Sequence, residues 1–185
     1  MDNGASSYRR FLDGDDHAIA EMVGAYKDGL ILYLNGYVHN VFVAEELAED
    51  TFFRLITKKP RFGGNSSFKS FLYAIGRNVA VDYIRHRSKV RQIPLDEAEN
   101  YIAAVESLEQ TYLREEQKLA LNRALAQLPD DYRQVLWLSF FEGFSNIEIA
   151  AVMHKNERQV RNLLYRAKQS LKSILEKENF IYEEL

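Results

Sequence analysis

The chain has no cysteine among its 185 residues. That removes disulfides, thiolate metal ligands and cysteine nucleophiles together, and it permits an intracellular home. Long apolar runs are missing too. The N-terminus, MDNGASSYRRFLDGDD, holds no stretch of signal-peptide length, and nothing later approaches the roughly 18 uninterrupted apolar residues of a membrane span. The expectation is a cytoplasmic protein without membrane insertion. Proline is scarce at three residues, which together with 28% charged residues argues against a collagen-like or disordered polymer. Bulk positive charge is also lacking, since the net charge is -3. An autonomous DNA-binding domain is usually basic, so this balance argues against free DNA binding.

What is present is a 46% hydrophobic content, enough for a packed core, in a length that fits one ordinary domain or two small ones. Charge is segregated. Arg85, Arg87, Lys89 and Arg91 are followed by Asp96, Glu97, Glu99, Glu106 and Glu109. Pattern carries more information than the total.

Apolar residues recur at three- and four-residue spacing from Asp16 to Thr57, as in Ile19, Met22, Val23, Tyr26 and Leu30, then Val43, Leu47, Phe52, Leu55 and Ile56. Both runs read as amphipathic helices. Lys58 to Ser66 is a breaker cluster, and Ser66 or Ser67 can cap the helix that follows. That helix is predicted from Phe68 to Arg87, with a buried stripe of Phe68, Phe71, Leu72, Ile75, Val79 and Tyr83. Asn78, Val81, Asp82 and Arg85 share another face. Residues 91 to 112, with Pro94 and a run of acids, read as a linker. A second helical unit begins near Leu113, and Pro129 opens a helix that ends near Gly143. Then come Ser145 to Met153, a break at His154-Lys155-Asn156, and a long helix from Glu157 to about Lys177. Two helices joined by so short a turn look like a helix-turn-helix. The fold class expected is all-α: two small helical domains joined by a linker, the C-terminal one a helix-turn-helix.

On the last helix, Val160, Leu163, Leu164, Ala167, Leu171 and Ile174 fall within one buried arc. The opposite face holds Arg158, Arg161, Asn162, Tyr165, Lys168 and Lys172, and Asn156 can cap the N-terminus. The second helix of this motif enters the major groove with its first turns leading. Arg158, Gln159, Arg161 and Asn162 are then candidates for base edges, because Arg suits guanine acceptors and Asn or Gln suits adenine. Arg166, Lys168 and Lys172 suit phosphates. Taken alone, this face is equally compatible with a solvated surface helix.

Three stretches resemble, in order and spacing, the extracytoplasmic-function sigma factors of the sigma-70 family. The resemblance runs from Tyr8 to Leu175. Ala44 to Leu55 (AEELAEDTFFRL) is similar to the family's polymerase-docking helix, and Ser67 to Arg85 (SFKSFLYAIGRNVAVDYIR) to its melting and −10 recognition helix. Leu128 to Val135, Glu148-Ile149-Ala150 and Val160 to Ala167 are similar to the region that reads the −35 element.

The resemblance implies a non-enzymatic factor that binds core RNA polymerase and directs it to promoter DNA. It implies three surfaces. Glu45, Glu46, Glu49, Asp50 and Phe53 would meet the β′ clamp helices. Arg61, Asn65, Tyr73, Arg77, Asn78, Asp82, Arg85 and Arg87 would meet the −10 element, with the loop Arg61 to Ser66 and Asn78 forming a pocket for an unstacked base. Tyr73, off the apolar stripe, is the aromatic expected to stack on a base. Arg158, Gln159, Arg161, Asn162, Tyr165, Arg166 and Lys168 would meet the −35 element. The expected boundaries are 5 to 90 for the first domain, 91 to 112 for the acidic linker, 113 to 178 for the second domain, and 179 to 185 for a disordered tail. Further implied partners are the polymerase β flap and an anti-sigma factor; no cofactor or metal is implied.

This sequence departs from the family pattern at Phe71, Glu49 and Leu163, and His154-Lys155 stands where a glycine and an apolar residue are usual. Those departures bear on the promoter sequence rather than on the class. Three other readings stay open: a helix-turn-helix regulator with a sensing N-terminal half, a helical protein adaptor, and an enzyme. The last is weak, because His17, His39, His86 and His154 are scattered without metal spacing and Gly63-Gly64 lacks the lysine and serine of a phosphate loop.

Overall fold

The computed structural model describes residues 3–89 and 121–177, and all regular structure among them is helical. The expected linker, the helix start near Leu113 and the expected tail lie outside the described residues.

The N-terminal half is built from α1 (Asn3–Leu12), α2 (His17–Val38), α3 (Val41–Lys58) and α4 (Phe68–Lys89). α1 is absent from the sequence reading, which starts its helices at Asp16. It buries Tyr8 and Phe11 on one face, and the Tyr8 hydroxyl donates to the Pro60 carbonyl at 2.7 Å. Local chemistry sets the helix ends. His39 terminates α2 in the left-handed conformation (φ 51°), and the Asn40 side chain then caps α3 by accepting from Val43 N–H at 3.1 Å. Lys59 ends α3 in the same conformation (φ 43°). At α4 the cap falls to Ser67, whose hydroxyl oxygen accepts from Ser70 N–H at 3.3 Å.

α2, α3 and α4 pack together over Met22, Leu30, Leu34, Leu55, Phe68 and Leu72, all at most 1% exposed. Side chains of this size each stabilise by about 1.5–3 kcal/mol when fully buried. Of the predicted α4 stripe, Phe68, Leu72 and Val79 are buried, whereas Phe71, Ile75 and Tyr83 are partly covered. Phe71 joins a ring cluster with Phe62 (5.2 Å) and Phe68 (6.1 Å).

The C-terminal half comprises α5 (121–126), α6 (Asp130–Leu136), α7 (Asn146–Met153) and α8 (Glu157–Lys177). The sequence reading carries α6 on to Gly143. Instead it widens into a π-helical turn, Trp137–Phe141, where Trp137 stacks on Phe141 at 4.4 Å. α7 opens with a reciprocal capping box between Ser145 and Glu148. α8 opens with another: Gln159 N–H donates to Asn156 Oδ1 at 2.9 Å, and Asn156 N–H donates to Gln159 Oε1 at 2.8 Å. Val160 and Ala167 are fully buried under it.

The two halves pack on each other, α4 along α7 and α2 against α6. Tyr73 of α4 and Phe144 meet edge to face at 5.4 Å, which makes the apolar core continuous across the junction.

Candidate nucleic-acid interface

α7, the turn and α8 have the helix-turn-helix arrangement, and α8 presents Arg158, Gln159, Arg161, Asn162, Tyr165, Arg166 and Lys168 to solvent. Tyr165, a large aromatic, is 67% exposed. Some of these groups are already engaged. Arg161 pairs with Glu157 at 2.6 Å, one turn back, and Lys168 rests over the Phe140 ring at 5.0 Å. Gln159 spends its side-chain oxygen on the cap of α8, so base reading by its carboxamide would have to use the nitrogen or break the cap.

The second candidate surface is dispersed over α4 and the loop before it. Arg61, Asn65, Asn78, Asp82 and Arg85 are exposed, while Arg77 and Arg87 are half-buried. Tyr73 corrects the sequence reading. It is fully buried, packed on Tyr33 at 5.1 Å and against Phe144, so no base reaches it in this state. Its position off the α4 stripe is explained by a second partner surface, which comes from the other half of the chain. Burial holds the Tyr33, Tyr37 and Tyr73 hydroxyls above the ordinary tyrosine range, keeping them neutral. Asn78 and Asp82 are also drawn apart. Asn78 Oδ1 lies 2.9 Å from His154 Nε2, whereas Asp82 lies 3.6 Å from Arg54, which also holds Asp50 at 3.1 Å. That carboxylate–guanidinium row lines an open groove of about 480 Å³ between α3 and α4.

On α3, Glu45, Glu46 and Glu49 are exposed, Asp50 is half-buried and Phe53 is 63% exposed. Phe42, 74% exposed, was missed by sequence reasoning. Its signal was available, because residues 42, 46, 49 and 53 follow a helical stripe. The residues joining the two halves were missed as well. Glu148 Oε1 accepts from the Ser67 hydroxyl, Lys69 pairs with Glu142 at 2.7 Å, and Arg133 approaches His39 at 3.2 Å. No sequence signal links groups 73 to 94 positions apart. Among the described residues no cluster of three or more His, Asp or Glu could hold a metal ion, and no helix is long and apolar enough to cross a membrane.

Residues 22–90 match Sigma-70 region 2, and residues 118–171 match Sigma-70 region 4. The chain is 28% identical to the RNA polymerase sigma-H factor of Pseudomonas aeruginosa, over 88% of this chain and 89% of that one. It is 26% identical to the ECF RNA polymerase sigma factor SigW of Bacillus subtilis, over 88% and 91%. The chain belongs to the extracytoplasmic-function sigma factors. Its fold is that of the sigma factor RpoE from Bartonella quintana, solved in complex with the anti-sigma factor NepR: the TM-score is 0.64 at 20% identity, over 85% of this chain and 96% of that one. As a sigma factor it serves promoter recognition and polymerase binding through regions 2 and 4. The exposed α8 face lies within the region 4 match, and α3 and α4 lie within the region 2 match.

Proposed function

We propose that this sigma factor divides its work among three surfaces and carries out no catalysis of its own. Region 2, taken as residues 5 to 90, docks on the β′ clamp helices through Glu45, Glu46, Glu49, Asp50 and Phe53, and Phe42 extends that contact. The α4 face and its preceding loop engage the −10 element through Asn65 and Asn78, with Arg61, Arg77, Arg85 and Arg87 on the backbone. Region 4, taken as residues 113 to 178, reads the −35 element through α8 and meets the β flap. Arg158, Arg161 and Asn162 stand at base edges, and Tyr165, Arg166 and Lys168 at the backbone. Such a factor works in the cytoplasm, where its polymerase and promoters are. An anti-sigma factor is a further partner, by analogy with the complex of RpoE and NepR.

The observation that carries this reading is the alignment of region 2 and region 4, in order, on a chain whose exposed cations gather on α8 although its net charge is -3. A negative net charge repels the DNA polyanion at long range and offsets the attraction of a local basic face when the chain is alone. Core polymerase supplies the missing attraction. The test is a gel-shift titration on promoter duplex with and without core polymerase. A shift only in the presence of core supports the proposal. Tight, sequence-specific binding by the isolated chain would overturn it in favour of a conventional regulator.

A further inference from the structure

α8 carries one exposed stripe at alternating three- and four-residue spacing: Arg158, Arg161, Tyr165, Lys168 and Lys172. Its cations are held in different ways. Arg161 pairs with Glu157 at 2.6 Å and Lys172 with Glu176 at 3.7 Å, in each case a carboxylate of the same helix. Lys168 has no ion pair among the described residues. Its ammonium lies instead 5.0 Å from the centre of the Phe140 ring.

That ring belongs to the π turn before α7. Glu142 N–H donates to the Trp137 carbonyl at 3.2 Å, one residue further back than an α-helix would reach. The widened turn is held by the Trp137–Phe141 stack and by a bond from Trp137 Nε1 to Glu142 Oε1 at 2.9 Å. Phe140 is left 61% exposed, outside the core. Glu142, the acid nearest to it in sequence, is spent on Trp137 and Lys69, and its side chain is only 6% exposed.

A carboxylate and a ring act differently on a lysine. The carboxylate cancels the charge and has to be displaced before a phosphate can take its place. An aromatic face attracts the ammonium through its quadrupole, and leaves the net charge and the outward N–H donors in place. Lysine also has a long stem whose rotamers are fixed at an entropic cost when it contacts a phosphate. A ring that restricts them beforehand lowers that cost. We propose that Phe140 is a positioning residue for promoter binding: it holds Lys168, still charged, for a phosphate of the −35 element, a role that rests on the −35 reading of α8 made above.

The test is binding of the holoenzyme to a promoter duplex that it transcribes, measured over a range of KCl concentrations. Lys168→Ala should reduce the salt slope by about one, and weaken binding by the same factor on intact and altered −35 elements. Phe140→Leu removes the ring and keeps an apolar side chain. It should weaken binding about two- to fivefold, the range of a cation–π contact at an exposed site, again without changing base preference. In the Lys168→Ala background the same substitution should have no effect. Phe140→Trp should match or exceed the wild type, because indole is the best ring for a cation. Core affinity and the thermal midpoint should not move with Phe140→Leu, which separates positioning from a polymerase contact and from folding. Full promoter affinity in Phe140→Leu, an equal loss with and without Lys168, weak binding by Phe140→Trp, or a fall in core affinity or midpoint overturns the proposal. Arg161→Ala on the same DNA then locates the fault: lost −35 discrimination leaves the α8 assignment standing, and unchanged discrimination removes it.

Discussion

Glu148 and Ser67, 81 residues apart in sequence, are joined by two hydrogen bonds, from the Ser67 hydroxyl and from its backbone N–H, both to Glu148 Oε1. The other carboxylate oxygen accepts from Ser145 N–H at 3.0 Å and from its hydroxyl at 2.8 Å. One side chain therefore caps α7 and ties the helix-turn-helix to the start of α4.

Partial burial raises the Glu148 pKa, but the hydrogen bonds from Ser67 and Ser145 outweigh it and hold the group below its ordinary value. A depressed carboxylate contributes stability above its unfolded pKa and loses it as pH falls through the folded one. Unfolding midpoints should therefore fall below about pH 4.5, and less steeply for Glu148→Gln than for the wild type. At neutral pH Glu148→Ala should cost about 1–2 kcal/mol as the capping box is lost. Thermal melts across pH check both statements.

Tyr73→Ala separates packing from recognition. Removing a fully buried ring costs about 3–5 kcal/mol, so the expected result is a large drop in denaturation midpoint. A normal midpoint with selectively lost −10 recognition would instead restore the stacking role that the sequence suggested.

The α3 stripe can be tested without touching the core. Phe42→Ser and Glu46→Lys change exposed positions, where substitutions usually alter stability by no more than about 0.5 kcal/mol. Both should weaken assembly with core polymerase, measured by competition against labelled wild type, while leaving the thermal midpoint in place.

Arg161→Ala should show the opposite pattern. Loss of one base-directed arginine costs about 1–3 kcal/mol at its position, so −35 discrimination should fall about fivefold to 150-fold while core affinity holds. Holoenzyme binding to promoters with and without an altered −35 element checks it. Equal loss of both activities would indicate unfolding.

Helix periodicity made α2, α3, α4 and α8 legible, because each carries an apolar stripe at three- and four-residue spacing. Asn156 was legible as a cap because capping is decided within four residues. α1 was not, since Tyr8 and Phe11 offer only two apolar contacts in a polar segment and their partners, such as Phe68 and Pro60, lie more than 45 positions away. The π turn at Trp137–Phe141 escaped because a widened turn leaves the apolar pattern nearly unchanged. Tyr73 was misread for a related reason. A residue off the stripe of one helix bundle looks solvated until a second bundle, here through Phe144, covers it. The exposed faces of α3 and α8 were legible in residue type, as was the Glu157–Arg161 pair at i,i+4, yet a partner on another element, such as Phe140 for Lys168, was not.

The most direct test of the account is run-off transcription from genomic promoter fragments with core polymerase, with and without this chain. The account predicts discrete, start-site-specific transcripts that appear only when the chain is added. Arg161→Ala should reduce them at promoters that depend on −35, and Glu46→Lys should reduce them at all promoters. No chain-dependent transcript from any fragment, alongside tight duplex binding by the chain alone, would contradict it.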